Sequence, residues 1–556
     1  MTTTAAGVVQ SVDWLAVAPP VLAAVTGLLV LVTDLFLDER RKPLLGGIAV
    51  GGLALALAAL LPLTGGERAT FCLTTDPQAC SYTADRFTLA MQLLVLGGAL
   101  VVALFSTATL REDPLPAGEY WFLLLSSAAG AALLPAARDL ATLVIALEVA
   151  SLPSFALVAL RRGDRRGSEA ALTFFLSSVA ATAVTLLGVS FVYAATGGLH
   201  LNTVAEGLAD LDTTRPELAT LATTGVVLTV VGFAFKAAVA PFHFWVPDTY
   251  AGAPVPVAGY LSVIGKAVGF GGLALLTVQA FPSRTDVLGP ALAVLAALTM
   301  TVGNVAALRQ RPEADRGAVR LLAWSSVGQA GYLIVPIAAA AGSDAPDRAI
   351  GATLAYALMY ATVNLGAFAV VVHVGRSATA HRITDHRGLY ARRPLLALAL
   401  AFFLLCLAGL PPGVVGLFAK VTVFAAAVDA GLGWLAAVMA VNVVIALVYY
   451  LRWTALLFRT PAPAAAAVPA PAAAGASAAG EPQAGSDTGS GPDRGPSPAP
   501  ESSPAPALVG ARVGAEEPQV PMDVPLAVAV ALTATLAVAL SAAPQLILRL
   551  TDLPLF

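Results

Sequence analysis

Apolar runs of about 20 residues recur along almost the whole chain, and a run of that length crosses a bilayer as a helix. On that ruler fourteen spans are predicted, at about 14–36, 44–63, 87–109, 120–137, 139–160, 169–195, 220–241, 254–280, 287–308, 320–342, 349–374, 394–428, 433–458 and 523–548. The twelfth is overlong and interrupted at Pro411–Pro412, which predicts two half-helices. Composition agrees with an all-α polytopic membrane protein. The chain is 58% hydrophobic and 12% charged, against roughly 25% charged in a soluble domain, and its mean hydropathy is +0.81.

Charge sets an orientation and excludes some functions. A net charge of −3 over 556 residues gives no electrostatic reason for a nucleic-acid partner. Three cysteines without metal-ligand spacing exclude an iron–sulfur or zinc site, and no phosphate-binding loop or nucleotide fingerprint occurs. Loops after odd-numbered spans hold the basic clusters, such as Arg161, Arg162, Arg165 and Arg166, or Arg376, Arg382, Arg387, Arg392 and Arg393. Loops after even-numbered spans hold only Arg68, Arg86, Arg138, Arg215, Arg284 and Arg348. The positive-inside rule then puts the odd loops in the cytoplasm and both termini outside. The first thirteen residues lack the basic start of a signal peptide, so the first span is expected to be retained.

Lysine is rarer and more telling than arginine. Of 31 basic residues only Lys42, Lys236, Lys266 and Lys420 are lysines, and the last three lie inside apolar runs. An ammonium at bilayer depth costs roughly 2.5–3.5 kcal/mol on insertion scales and marks function by default. Unlike a guanidinium, it can lose its proton when buried. A general bias towards arginine accounts for the loops but not for lysine at these three sites. Lys236 and Lys266 flank a segment broken by Pro241, Pro247, Pro254 and Pro256. Helix breaks at depth are tolerated where protein covers the freed backbone or a wet cavity adjoins it. Lysine and broken helix together point to an ion path; the competing reading is a lysine that snorkels to the interface.

Glu148 is the mid-span carboxylate. It either stays neutral or bonds to a carbonyl freed by Pro153, or it pairs with a lysine; at about 4 Å and an effective dielectric near 20 that attraction is roughly 4 kcal/mol. His243 in the break and His373 at the end of span eleven are candidate proton relays, with turn packing the competing reading for His243. Asp34 and Asp248 read as interfacial or helix-end charges. Asn304, Ser325, Ser326, Gln329, Tyr332, Tyr356, Tyr360 and Asn364 are each ordinary helix-packing polarity, and together can hold water along the second half. Cys72 and Cys80 fall in an outside loop as either a short disulfide or two free thiols; Cys406 is expected in the core. Residues 460–522, rich in Ala, Pro, Gly and Ser, read as a disordered linker before a last span within 523–556.

FKAAVAPFHFWVPDTYAGAPVPV, beginning at Phe235, and the SVIGK that ends at Lys266 resemble the antiporter-like membrane subunit N of NADH:quinone oxidoreductase, respiratory complex I. GNVAALRQ (303–310), RLLAWSSVGQAGYL (320–333), LAGLPPGVVGLFAK (407–420) and YYLR (449–452) extend the resemblance, which covers roughly 85–460. It implies two inverted five-helix units with discontinuous helices, at 111–285 and 286–459, behind a three-helix segment at 1–110. It also implies a Glu148–Lys236 pair, a connecting Lys266 and an outer half-channel Lys420. Thr173 stands where the family suggests a lysine, and Gln329 where histidine is frequent. The implied protein lies in a bacterial cell membrane with other membrane-arm subunits. It has no cofactor of its own; flavin, iron–sulfur clusters and quinone belong to other subunits. The rival expectations are a cation/proton antiporter subunit without a redox partner and a structural arm subunit that no longer pumps.

Overall fold

The computed structural model describes residues 12–460 and 521–556, with 75, 77, 78, 379 and 553 left aside. The linker expected at 460–522 lies outside the described residues except at its ends. The helices in chain order are α1 (Trp14–Asp34), α2 (Pro43–Ala58), α3 (Arg86–Glu112), α4 (Ala117–Leu133), α5 (Leu140–Ala159), α6 (Arg165–Thr196), α7 (Leu201–Thr214), α8 (Ala219–Lys236), α9 (Val246–Gly252), α10 (Val255–Leu275), α11 (Thr285–Leu308), α12 (Gly317–Ala340), α13 (Pro346–Gly375), α14 (Leu389–Arg392), α15 (Pro394–Ala408), α16 (Val414–Asp429), α17 (Gly433–Leu457), α18 (Val524–Ala542) and α19 (Gln545–Leu548). Among the described residues thirteen helical segments are long and apolar enough to cross a membrane. The twelfth predicted span is indeed broken, as α15 followed by α16.

Local chemistry explains the starts. Asp13, Asp85, Asp139 and Asp164 cap α1, α3, α5 and α6 by accepting backbone N–H bonds that the first turn leaves free. Proline opens α2, α13 and α15, where its missing N–H costs nothing. Helices α10, α12 and α13 are buried on nearly every face and form the centre of the bundle. Leu28 and Leu29 on α1, Leu172, Leu176, Leu186 and Leu187 on α6, and Val441 and Val444 on α17 point outward. That apolar exterior belongs against lipid or another membrane chain.

Besides the short α9 and α14, helix α7 and a hairpin lie outside the predicted spans. Helix α7 is too short to cross; it buries Leu201, Val204, Leu208 and Leu211 along one stripe and presents Glu206 and Asp210 on the other side. An antiparallel hairpin pairs Arg68–Cys72 (β1) with Cys80–Ala84 (β2), and Cys72 and Cys80 form a disulfide across it. Of the two readings open from sequence, the disulfide is the one present. Cys406 is a free, buried thiol. The intact chain is therefore expected to take up no membrane-impermeant maleimide until it is reduced, when Cys72 and Cys80 both react. Labelling without reductant would contradict the disulfide.

Candidate functional site

Lys236 is the last residue of α8, not a mid-helix residue as its place in the apolar run implied. The chain leaves the helix through Ala238, at a left-handed φ of 60°, and a cis Ala240–Pro241 bond before α9 begins. The freed backbone is satisfied inside the protein: Val239 N donates to Ala234 O at 3.0 Å and Ala240 N to Thr299 Oγ1 of α11 at 2.9 Å. Gly269 of α10 permits the close crossing, since a Cβ there would lie 2.6 Å from Ala237 Cα and 2.7 Å from Lys236 C. The Lys236 ammonium is buried. It donates to Ser178 Oγ at 3.2 Å and lies 5.0 Å from the ring centres of both Phe155 and Phe174, an arrangement in which ring quadrupoles replace part of its hydration. Trp245 stacks on Phe174 at 4.2 Å and seals the far side. A cavity of about 10 Å³, room for one water, separates Lys236 from Ser151, Ser154, Ser127 and Tyr260. Tyr260 donates to Ser127 at 2.8 Å, and Ser127 and Ser154 lie 3.0 Å apart.

Lys266 sits at the centre of the bundle, fully buried on α10, and donates to Ser326 Oγ of α12 at 2.8 Å. One turn away on α10, Ser262 accepts from Asn364 at 2.7 Å, while its carbonyl accepts from Tyr360 at 3.1 Å. These polar side chains of α10, α12 and α13 face one another because all three helices are enclosed.

The second break builds the site of Lys420. Helix α15 stops at Gly409, whose φ of 81° suits glycine, and a cis Pro411–Pro412 bond turns the chain into α16. Lys420 Nζ reaches back to the carbonyls that end α15, Leu407 O at 3.0 Å and Ala408 O at 2.8 Å, with the Tyr332 ring at 5.6 Å. Terminal carbonyls carry the negative end of the helix dipole, which favours a cation there.

The expected Glu148–Lys236 ion pair is absent. Glu148 faces α6, half-buried, and accepts from Thr182 Oγ1 at 2.5 Å, while Lys236 turns to Ser178 one helical turn away on α6. The spacing of 148 and 236 in the chain carries no information on how α5 and α8 are rotated about α6, which lies between the two bonds. His243 is half-buried against Trp324, ring centres 5.7 Å apart, and His373 is buried in the last turn of α13; neither bonds to a lysine. Thr173 is exposed on α6. Asp248 makes a surface pair with Arg320 at 2.7 Å and Asp34 lies 3.7 Å from Lys42, so both are the edge charges expected. Ser178, Ser127, Ser154 and Tyr260 were missed; a hydroxyl in an apolar helix has no distinguishing sequence signal beyond its helical spacing, as in Ser151 and Ser154. Among the described residues no cluster of His, Cys, Asp or Glu is placed to hold a metal.

Buried amines beside two interrupted helices in a polytopic bundle define the class of antiporter-like membrane subunits. The family described as NADH:quinone oxidoreductase/Mrp antiporter, TM, matches residues 137–446. NADH-quinone oxidoreductase subunit N 2 of Streptomyces griseus is 72% identical over 457 residues, 82% of this chain and 85% of that protein. The fold matches a chain of respiratory complex I from Thermus thermophilus with TM-score 0.69 at 30% identity, covering 96% of this chain and 98% of that one. A chain of the Mrp complex from Dietzia sp. matches with TM-score 0.75 at 22% identity, over 97% and 96%, a likeness of fold alone. The chain belongs to the NADH-quinone oxidoreductase subunit N family.

Proposed function

We propose that this chain is a proton-translocating membrane-arm subunit of an NADH:quinone oxidoreductase, in which electrons pass from NADH to a quinone in other subunits and protons pass through this one. The observation that carries the reading is the set of three buried amines, Lys236, Lys266 and Lys420, each donating to neutral oxygen acceptors in place of a carboxylate. Hydroxyl and carbonyl oxygens solvate an ammonium without locking it in a salt bridge, so its proton can be handed on. Subunit N relatives at high identity favour the redox complex over a free-standing antiporter.

In this reading residues 111–285 and 286–459 are two five-helix units of opposite orientation, each with its broken helix fourth, behind the N-terminal segment 1–110. Both termini face outside in a bacterial cell membrane, and the odd loops face the cytoplasm. Flavin, iron–sulfur clusters and quinone are held by partner subunits of the hetero-oligomer. A movement transmitted from a neighbouring membrane subunit brings Glu148 towards Lys236 or takes it away. Approach holds the proton on the lysine. Separation, the arrangement described above, lets it pass by Lys266 to Lys420 and outward, after which Lys236 reloads from the cytoplasm. His243 and His373 remain candidates for access to either end.

Lys236→Ala tests this in the assembled complex in sealed vesicles. Protons translocated per NADH oxidised are expected to fall by the contribution of this subunit, with NADH oxidation continuing. An unchanged ratio in an assembled complex would reject the role.

A further inference from the structure

Between Lys266 and Lys420 the structure assigns a link that the lysines do not themselves supply. Ser325 and Gln329 lie one turn apart on α12 and face the same side-chain hydroxyl, that of Tyr450 on α17, which is fully buried. Ser325 Oγ and Tyr450 OH are 2.6 Å apart. Gln329 Nε2 donates to Tyr450 OH at 3.2 Å and to Leu407 O at 3.5 Å, and Gln329 Oε1 accepts from Tyr356 OH. Leu407 O can only accept, so the amide nitrogen belongs on that side. The same carbonyl is held more closely by Lys420, at 3.0 Å. Helices α12, α13, α15 and α17 therefore meet α16 at one polar knot, which Lys420 joins through Leu407 O; Ser325, inside the knot, is adjacent in the chain to Ser326, the partner of Lys266.

We propose that Tyr450 is the hydroxyl that carries protons between the Lys266 and Lys420 halves, and that Gln329 is the positioning residue that latches it. The inference rests on the proton-translocating reading above. An amide neither takes up nor releases a proton near neutrality, so the proton does not pass through Gln329. While Gln329 donates into the Tyr450 oxygen, that lone pair is blocked on the Lys420 side. When a neutral Lys420 relinquishes Leu407 O, Gln329 closes on the carbonyl and withdraws from Tyr450. A proton leaving the Lys266 ammonium then arrives at Ser325. Ser325 passes its own proton to Tyr450, and Tyr450 passes its own to the Lys420 amine, with water bridging any gap longer than a hydrogen bond. Each hydroxyl gains one proton and loses one. The net change is an ammonium at 420 and an amine at 266.

The neighbouring Tyr449 supplies the control. It is also buried, its ring centre is 4.4 Å from that of Tyr450, and its hydroxyl touches Tyr450 and Ser325 but donates to Asn304 at 3.0 Å, which leads on to Asn442 and not to Leu407. Tyr450→Phe, Tyr449→Phe, Gln329→Leu and Lys420→Ala are compared in the whole complex in sealed vesicles. Protons per NADH oxidised are expected to fall in Tyr450→Phe to the level of Lys420→Ala and to stay at the parent value in Tyr449→Phe. Gln329→Leu is expected to raise passive proton leak several-fold in vesicles without NADH, because the latch is gone while the hydroxyl remains. The proposal is overturned if Tyr450→Phe keeps the parent ratio, if both Phe variants fall alike, or if Gln329→Leu leaves the leak unchanged. Should Lys420→Ala itself leave the ratio unchanged, the wider reading fails and not this link alone.

Discussion

Gly416→Ala is expected to prevent accumulation of the assembled complex, the largest effect foreseen for a single added methyl group. A Cβ at Gly416 would sit 2.7 Å from the carbonyl carbon and 3.0 Å from the Cα of Cys406, and closer still to its oxygen. Those are backbone atoms of α15, so no side chain can rotate away. The two half-helices cross with main chain against main chain, and only separation of α15 from α16 admits the methyl. Overpacking alone costs about 1–3 kcal/mol, sometimes more. Here it also carries Lys420, one turn further along α16, off the carbonyls of Leu407 and Ala408 and leaves a buried charge without partners, which adds a penalty of several kcal/mol. The measurement is the amount of intact complex recovered from membranes. Gly433→Ala, where a Cβ meets nothing within 4 Å, is the matched control and is expected to assemble normally. Recovery at the parent level for Gly416→Ala would show that the half-helices are not in backbone contact.

Lys420→Arg is expected to abolish this subunit's proton translocation while sparing assembly better than Lys420→Ala does. Truncation to alanine leaves the Leu407 and Ala408 carbonyls without their cation, at about 1–3 kcal/mol for each group left unsatisfied. A guanidinium keeps a positive charge at the negative end of α15. It does not release a proton under ordinary conditions, so the site stays permanently charged. Its bulk must also pass Gly409, whose missing side chain leaves room for the lysine stem: a Cβ there would lie 3.0 Å from Lys420 Cδ. Protons translocated per NADH oxidised, measured on equal amounts of assembled complex, separate charge from titration. Pumping at the parent ratio in Lys420→Arg would mean that the cycle never discharges this site.

Much of the fold was legible because its determinants are local. Twenty apolar residues in succession need a helix wherever they lie, and Gly409 followed by Pro411 and Pro412 marks a helix end from nearby residues. Asp13, Asp85, Asp139 and Asp164 act within a few residues of themselves. Elements outside that ruler escaped. Helix α7 is too short, and the hairpin of Arg68–Cys72 with Cys80–Ala84 holds two strands of five residues each, held in register by pairing and a disulfide.

The candidate site divides in the same way. That three lysines lie at depth follows from counting, since nothing else in the chain explains an ammonium among leucines and valines. Which groups they touch does not. Ser178 meets Lys236 across 58 positions, Ser326 meets Lys266 across 60, and Ser325 meets Tyr450 across 125. Those distances depend on how each helix is rotated about its own axis, and in a helix as apolar as α10 or α12 no stripe in the sequence sets that rotation. Tertiary packing sets it instead, through glycine contacts such as Gly269 on Ala237 and Gly416 on Cys406 that hold one backbone against another. The sequence by itself determined that the chain crosses a membrane many times, breaks two of its helices and places amines inside. Only the folded bundle decided that Glu148 turns to Thr182, that Lys236 ends its helix between two phenylalanines, and that Lys420 rests on the carbonyls of a half-helix. Hydrophobicity is a property of each residue alone, whereas a hydrogen bond between helices exists only once both have been positioned.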